Sequence, residues 1–288
     1  MTERNYSKLV TDALREDLGP GDVTTELCIP DDIEVEAAVR ARMRLVVSGT
    51  GPFREVFRQV DPDVECRILR RDGEEAQTGD VVANLRGSCA SLLSAERTAL
   101  NFLQHLSGVA TLTRAFVNAI GAGGPGLLDT RKTTPGLRNL EKDAVRHGGG
   151  LNHRRALFDG ILIKDNHITA AGGVRQALSR ALAGAPVGMK VEIEVDNLDQ
   201  LQEALEGGAD IVLLDNMDPD ALRRAVAAAE SFYAPAPRKV LLEASGGVTL
   251  ETVKAIAATG VDYVSTGALT HSAPAADLGL DFLPRGVY

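Results

Sequence analysis

The sequence has no tryptophan, and aromatic residues make up only 4% of its 288 positions. The chain is nonetheless 44% hydrophobic, so a large core has to be built from Leu, Val, Ile and Ala. Cysteine is also scarce. Cys28, Cys66 and Cys89 are widely spaced and form no metal-ligand pattern, which fits a reducing cytosol. No apolar run approaches the ~18 residues needed to span a bilayer, and MTERNYSKLV lacks the apolar core of a signal peptide. A cytoplasmic protein with no membrane partner is therefore expected. Basic residues are in the minority, with 31 Lys and Arg against 40 Asp and Glu, giving a formal net charge of -9. Without a basic patch interleaved with aromatics, nucleic acid is excluded as the main partner.

What is present changes character along the chain. Asn5 to Asp17 has helical spacing, and a GPGD turn follows. Val35 to Leu85 alternates short apolar segments with charges, which is antiparallel strand chemistry, with Asp72-Gly73 as a hairpin turn and one helix from Gly51 to Val60. From Ser91 to Ile120 the period becomes helical. This switch sets a boundary at about residue 108, dividing an N-terminal α+β sandwich domain (1–108) from a second domain (109–274). In the second domain short apolar runs recur at Gly126–Asp129, Ile161–Lys164, Val191–Val195, Ile211–Leu214, Val240–Ala244 and Tyr263–Thr266, with helical stretches between them. That rhythm predicts a parallel sheet with helices outside, an incomplete α/β barrel of six to seven strands. The remainder, 275–288, has no strand-helix unit of its own and is expected to pack back on the first domain. The Pro-rich connection 231–238 suggests no function.

The most informative stretch is LLDTRKTTPGLRNLEKDAVRHGGGLNHRRALFDGILIKDNHI. Its first apolar run stops at Asp129, Thr130, Arg131 and Lys132, and its second stops at Lys164 and Asp165. Apolar runs that end abruptly in charge read as buried parallel strands opening onto a site. A right-handed crossover puts Arg131, Lys132 and Lys164 on one rim. His153 and Arg154 follow the crossover helix, which would place them at the opposite rim. The glycines Gly148 to Gly150 allow an unusually long loop to carry them to the mouth. Cations gathered this way in an acidic chain call for a small, multiply anionic ligand. Surface pairing with Glu141, Asp143 and Asp159 would explain one such cluster but not three.

The later strand ends differ in chemistry. Glu194 and Asp215 offer hard oxygen ligands for a divalent cation such as magnesium, completed by substrate phosphate and water. Ser245-Gly246-Gly247 and Ser265-Thr266-Gly267 follow late strands, where exposed backbone N–H groups commonly bind a phosphate. His153 is a candidate acid, base or hydrogen-bond donor to a carboxylate. His147 reads as a helix C-terminal residue favoured by the helix dipole.

The segments DTRKTTPGLR, EKDAVRHGGGLNHR and LIKDNH resemble those of the quinolinate phosphoribosyltransferases, the carboxylating nicotinate-nucleotide pyrophosphorylases. The match is densest from Ser94 to His167. The resemblance implies transfer of phosphoribosyl from phosphoribosyl pyrophosphate to quinolinate, with loss of pyrophosphate and CO2, in NAD biosynthesis. It implies that Arg131, His153, Arg154 and Lys164 surround the pyridine dicarboxylate, and that Thr130 also binds substrate. Arg97, from the SAERTALNFLQHLSG helix, would join them from the partner subunit of a homodimer, with assembly to a hexamer left open. Lys132 would bridge towards the pyrophosphate. Glu194 and Asp215 would hold ribose hydroxyls and Mg2+, with Mn2+ as a substitute, and Lys132, Glu194 and Asp215 would carry the catalysis. The two glycine loops, with Ser245, Gly246, Gly247, Ser265 and Gly267, would take the ribose phosphate. No dedicated base is expected for decarboxylation. Two rivals stand beside this reading: a paralogue associated with molybdenum transport, and a silent barrel that binds a phosphorylated metabolite. The intact NHR and LIKDNH motifs, with Lys164 present, favour the quinolinate enzyme over the paralogue, and retention of every charged position argues against a silent barrel. Departures are few: Ala156 stands where relatives often have Gly, and the LVVSGT stretch near Ser48 is atypical.

Overall fold

Period-two alternation in the first third of the chain produces short strands between helices. The computed structural model describes residues 6–237 and 239–283. In order these begin with α1 (Ser7–Leu18), α2 (Val23–Cys28), β1 (Glu34–Ala41), β2 (Leu45–Val46), α3 (Thr50–Val60), β3 (Glu65–Ile68), β4 (Glu75–Ala76), β5 (Val81–Ser88) and α4 (Cys89–Ile120). Next come β6 (Gly126–Leu128), α5 (Arg138–His147), β7 (Ile161–Ile163), α6 (Asp165–Ala171), α7 (Val174–Gly184), β8 (Val191–Val195), α8 (Leu198–Gly207) and β9 (Ile211–Asp215). The chain ends with α9 (Pro219–Tyr233), β10 (Leu241–Ser245), α10 (Val253–Ala257), β11 (Tyr263–Ser265), α11 (Ala268–His271) and β12 (Leu278–Phe282). No helix among the described residues is long and apolar enough to cross a membrane.

The chain divides into two compact units. The first comprises residues up to Arg114, Pro135–Gly149 and the residues from Ala273 on; the second is Ala115–Thr134 and Gly150–Ser272. The first unit is built on an antiparallel sheet of order β12-β1-β5-β3. β1 is central, paired with β12 on one edge and β5 on the other, and Ala37, Ala38 and Val39 are all buried. The C-terminal piece does return to this sheet, but as a strand. Leu278, Leu280 and Phe282 alternate with the period of a strand, and β12 pairs with β1 from Ala41↔Leu278 to Ala37↔Phe282. Asp72 and Gly73 form a turn, with Gly73 at φ 91°, yet the turn joins no hairpin, since β3 pairs with β5 and β4 with β2.

Helix α5 also belongs to the first unit, although its place between β6 and β7 suggested a barrel crossover. The reason is polar. Glu141 is fully buried and lies 2.8 Å from His105 Nε2 on α4, and His147 Nδ1 lies 2.9 Å from Ser48 Oγ. A charged, buried α5 is held by such partners, and the dipole at its C-terminus is only part of why His147 is there.

The second unit is a parallel sheet of order β6-β11-β10-β9-β8-β7, open between β6 and β7. This is the incomplete six-stranded barrel that the βα rhythm implies. Its strands are short apolar runs such as Val191–Val195 and Ile211–Asp215, buried at nearly every position. The free edge of β6 carries one further parallel bridge, Leu128↔Leu151, with Leu151 N–H donating to Leu127 O at 2.7 Å. Residues from Leu151 on therefore take the place of a one-bridge seventh strand. This stub carries His153 up the barrel, where an unusually long loop had been expected.

Candidate active site

Parallel strands deliver their C-terminal ends to one side, and here those ends enclose a cavity of about 600 Å³. Of the residues to which the family resemblance gives a role, all but Arg97 and Gly267 line it, and all of its lining residues lie in the second unit. Arg97 is exposed on α4, in the first unit. Gly267 contributes space: a Cβ there would come 2.8 Å from the Lys132 stem.

The cationic wall is held by its own backbone. Lys132 N–H donates to Thr130 Oγ1 at 3.0 Å, and Lys132 O accepts from Thr270 Oγ1 at 2.7 Å. Arg154 donates through Nη1 to Gly160 O at 3.0 Å. Burial first, and then the charge of Arg131, lowers the affinity of the Arg154 guanidinium for its proton. Lys164 is already paired, its Nζ 2.6 Å from Glu194 Oε2. His167 serves the backbone, with Nδ1 accepting from Lys164 N–H at 2.9 Å.

Below the mouth is a polar floor. Asp129 is fully buried and accepts from Asn152 Nδ2 at 2.6 Å and from His153 N–H at 2.9 Å, which anchors the stub. The His153 Nδ1 accepts from Arg154 N–H at 2.6 Å, so the ring proton sits on Nε2, which lies 2.9 Å from Glu192 Oε2. Both ring nitrogens are engaged with protein groups, whereas the sequence suggested an acid, base or donor free for the ligand. Glu243 Oε2 is 3.8 Å from the same Nε2. Glu192 and Glu243 are 4% and 2% exposed, and Oε1 of each has no hydrogen-bond partner. Burial, followed by the neighbouring charge of Glu192, pushes the Glu243 carboxyl up to about 7.

The ligand atoms of His153, Glu192 and Glu243 lie within 4.8 Å of one another, close enough for a metal ion. The tautomer argues against one there. A metal-binding histidine donates its other N–H, and the other nitrogen here is an acceptor. Glu194 and Asp215 are a better fit for a hard cation. Both line the open mouth, and the recorded bonds engage one oxygen of each, Glu194 Oε2 with Lys164 and Asp215 Oδ2 with Asn216 Nδ2 at 2.6 Å.

The glycine-rich side is tightly set. Asn216 adopts φ 54° and donates its N–H to Ser245 O at 2.9 Å. Gly246, at φ 89°, packs against Asn216 so closely that a Cβ would meet the Asn216 side chain and come 2.9 Å from its backbone N. Ser265 is buried and donates to Ser245 Oγ at 3.0 Å, so its hydroxyl is used within the protein.

Sequence reasoning missed Glu192, Glu243, Asn216 and the anchoring role of Asp129. For the two glutamates a signal existed. Strand side chains alternate, so Glu192 shares the inward face with Glu194, and Glu243 shares it with Ser245. For Asn216 the signal was weak: asparagine adopts a left-handed backbone more readily than most residues, but nothing in the sequence marks which asparagine does so.

Comparison with known proteins gives a consistent picture. Residues 109–281 match the model of the quinolinate phosphoribosyl transferase C-terminal domain, and residues 22–107 match that of the N-terminal domain. A probable nicotinate-nucleotide pyrophosphorylase [carboxylating] of Bacillus subtilis is 41% identical over 281 residues, 98% of this chain and 94% of that protein. The nicotinate-nucleotide pyrophosphorylase [carboxylating] of Mycobacterium leprae is 43% identical over 272 residues, 93% of this chain and 94% of its own length. Among solved structures, the nicotinate-nucleotide pyrophosphorylase of Ehrlichia chaffeensis superposes with a TM-score of 0.91 at 38% identity, covering 98% of this chain and 100% of that one.

Proposed function

The chain belongs to the quinolinate phosphoribosyltransferase family, and from that premise we propose that the barrel mouth joins quinolinate to the phosphoribosyl group of phosphoribosyl pyrophosphate. The products are nicotinate mononucleotide, pyrophosphate and CO2. The observation that carries this reading is the gathering of Arg131, Arg154 and Lys164 in one cavity with Glu194 and Asp215. Two adjacent carboxylates on a flat ring suit the cationic wall. A ribose ring that becomes oxocarbenium-like as its anomeric bond breaks suits the carboxylate wall.

In this reading Arg131, Arg154 and Lys164 bind the pyridine carboxylates, and Thr130 shapes the turn that presents Arg131 and Lys132. Lys132 faces the departing pyrophosphate, and its ammonium offsets the charge that develops there. Glu194 and Asp215 orient the ribose hydroxyls and would hold Mg2+ or Mn2+, which supplies positive charge to the pyrophosphate when bound. The loop at Ser245, Gly246 and Gly247 offers backbone N–H groups to the ribose phosphate. After transfer, departure of CO2 leaves its electron pair on the ring carbon beside the positively charged nitrogen, which stabilises it until that carbon takes a proton from solvent, so no base is required. The site is completed in a homodimer, with Arg97 of each chain supplied to the other's mouth.

The decisive assay mixes purified protein, quinolinate, phosphoribosyl pyrophosphate and magnesium and looks for nicotinate mononucleotide. Absence of both that product and pyrophosphate would overturn the reading.

A further inference from the structure

We propose that Glu192, which no strand-end reading selects, is a positioning residue for the pyridine dicarboxylate: it holds the His153 ring, and through that ring the backbone of Arg154, without touching substrate. The inference rests on the proposed function of the mouth. Glu192 does not line the mouth itself; it lines a second cavity of about 810 Å³ beneath the floor, at the other end of the barrel. Whatever it contributes to the ligand must therefore pass through its neighbours.

The connection is continuous. Glu192 Oε2 is 2.9 Å from His153 Nε2, and the Arg154 N–H reaches His153 Nδ1 at 2.6 Å. On either side, the stub is tied to Asp129 through Asn152 and the His153 N–H, and the turn beyond is tied to Asp159 through the N–H groups of Arg155 and Ala156. Between these anchors the backbone of Arg154 is set by the imidazole, and the imidazole is set by Glu192. Charge points the same way. Arg131 and Arg154 repel one another, and of the two anions acting on Arg154, Glu192 and Asp159, Glu192 is the stronger. A carboxylate kept 4% exposed with one oxygen unpartnered is costly unless it organises something. What it organises here is a receptor for a second carboxylate.

The test is a double-mutant cycle read as Michaelis constants, on variants whose folding is checked by thermal melting. Glu192→Leu removes the acceptor, and Glu192→Gln keeps an acceptor oxygen of the same size. Glu192→Leu is expected to raise KM for quinolinate about tenfold or more and to move KM for phosphoribosyl pyrophosphate less than about twofold, with Glu192→Gln in between. In a His153→Phe background, Glu192→Leu is expected to add less than about threefold, because the ring it holds is gone. The proposal is overturned if both Michaelis constants rise together, if quinolinate KM stays put, or if the effect persists in full without His153. Should Glu192→Leu not fold, the Glu192→Gln pair decides by the same criteria. Failure of the wild type to use quinolinate would sink the proposed function; normal wild-type turnover with unmoved variants would sink only this inference.

Discussion

Lys164 Nζ lies 2.6 Å from Glu194 Oε2, across the neighbouring strands β7 and β8. The cation proposed for the pyridine and the carboxylate proposed for ribose and metal are thus direct neighbours, and a substitution at one alters the charge around the other. Lys164 is 45% exposed, so the pair itself adds little to stability, about 1 kcal/mol or less. Lys164→Met should lower the melting temperature by only a few degrees while reducing kcat/KM for quinolinate more than about 100-fold. Loss of fold in step with loss of activity, measured by calorimetry alongside the assay, would contradict a binding role.

The metal assignment has a separate consequence. Turnover should require Mg2+ or Mn2+ and stop in excess chelator. Glu194→Gln combined with Asp215→Asn should raise KM for phosphoribosyl pyrophosphate far more than KM for quinolinate. Full activity in chelator-treated buffer would remove the metal from the scheme.

Substrate choice follows from the paired cations. Nicotinate lacks the 2-carboxylate, which would leave part of the Arg131, Arg154 and Lys164 cluster without an anion. Losing a charge-assisted hydrogen bond to one of these half-buried cations typically costs about 1.5–3 kcal/mol, or roughly one to two orders of magnitude. Competition between the two acids for limiting phosphoribosyl pyrophosphate measures this directly. Comparable turnover of nicotinate would rule out these three residues as the dicarboxylate receptor.

The legible part of this molecule was its rim. Arg131, Lys132, Lys164, Glu194, Asp215 and Ser245 each lie at or just after the C-terminal end of an apolar run, and all line one mouth. The floor was harder to see. Glu192 and Glu243 sit inside apolar strands, where a charged residue is ordinarily outward-facing, and only the shared inward face with Glu194 and Ser245 gives them away. The route of His153 was illegible for another reason. A single bridge, Leu128↔Leu151, leaves no periodic pattern in sequence, so a strand stub looked like a long loop. Helix α5 misled in the opposite direction. It is helical as expected, but its buried Glu141 and Lys142 show that it joins the first unit.

Glu243 makes stability depend on pH. Its folded carboxyl is raised from 4.5 to about 7 by burial and by Glu192. Below pH ~4.5 both folded and unfolded chains hold the proton. Between ~4.5 and ~7 only the folded chain does, so stability falls as pH rises through that window and levels off above it. Glu55, lowered to about 2 by Arg58, acts only at lower pH and does not overlap. Urea unfolding at pH 5 and pH 8 should show Glu243→Gln losing less stability than wild type, by no more than about 3 kcal/mol. Equal losses in the two proteins would mean Glu243 is ionised across the range.

The last prediction ties the chemistry to assembly. Arg97 is exposed on α4, and every residue lining the mouth comes from the second unit. A C2 dimer gives both chains the same contact, so an arginine donated one way is donated both ways and completes two sites together. Arg97→Ala should fold and dimerise like wild type yet lose most activity, and so should Lys132→Ala. The two inactive proteins, mixed and allowed to exchange subunits, should regain activity. With random pairing half of the dimers are mixed. In each of these, one mouth has its own Lys132 and an intact Arg97 from the neighbour, while the other mouth lacks both. Recovery should therefore approach about a quarter of wild-type sites. Mass spectrometry of the mixture establishes whether exchange has occurred. No recovery after confirmed exchange would mean that Arg97 acts within its own chain and that the shared site is wrong.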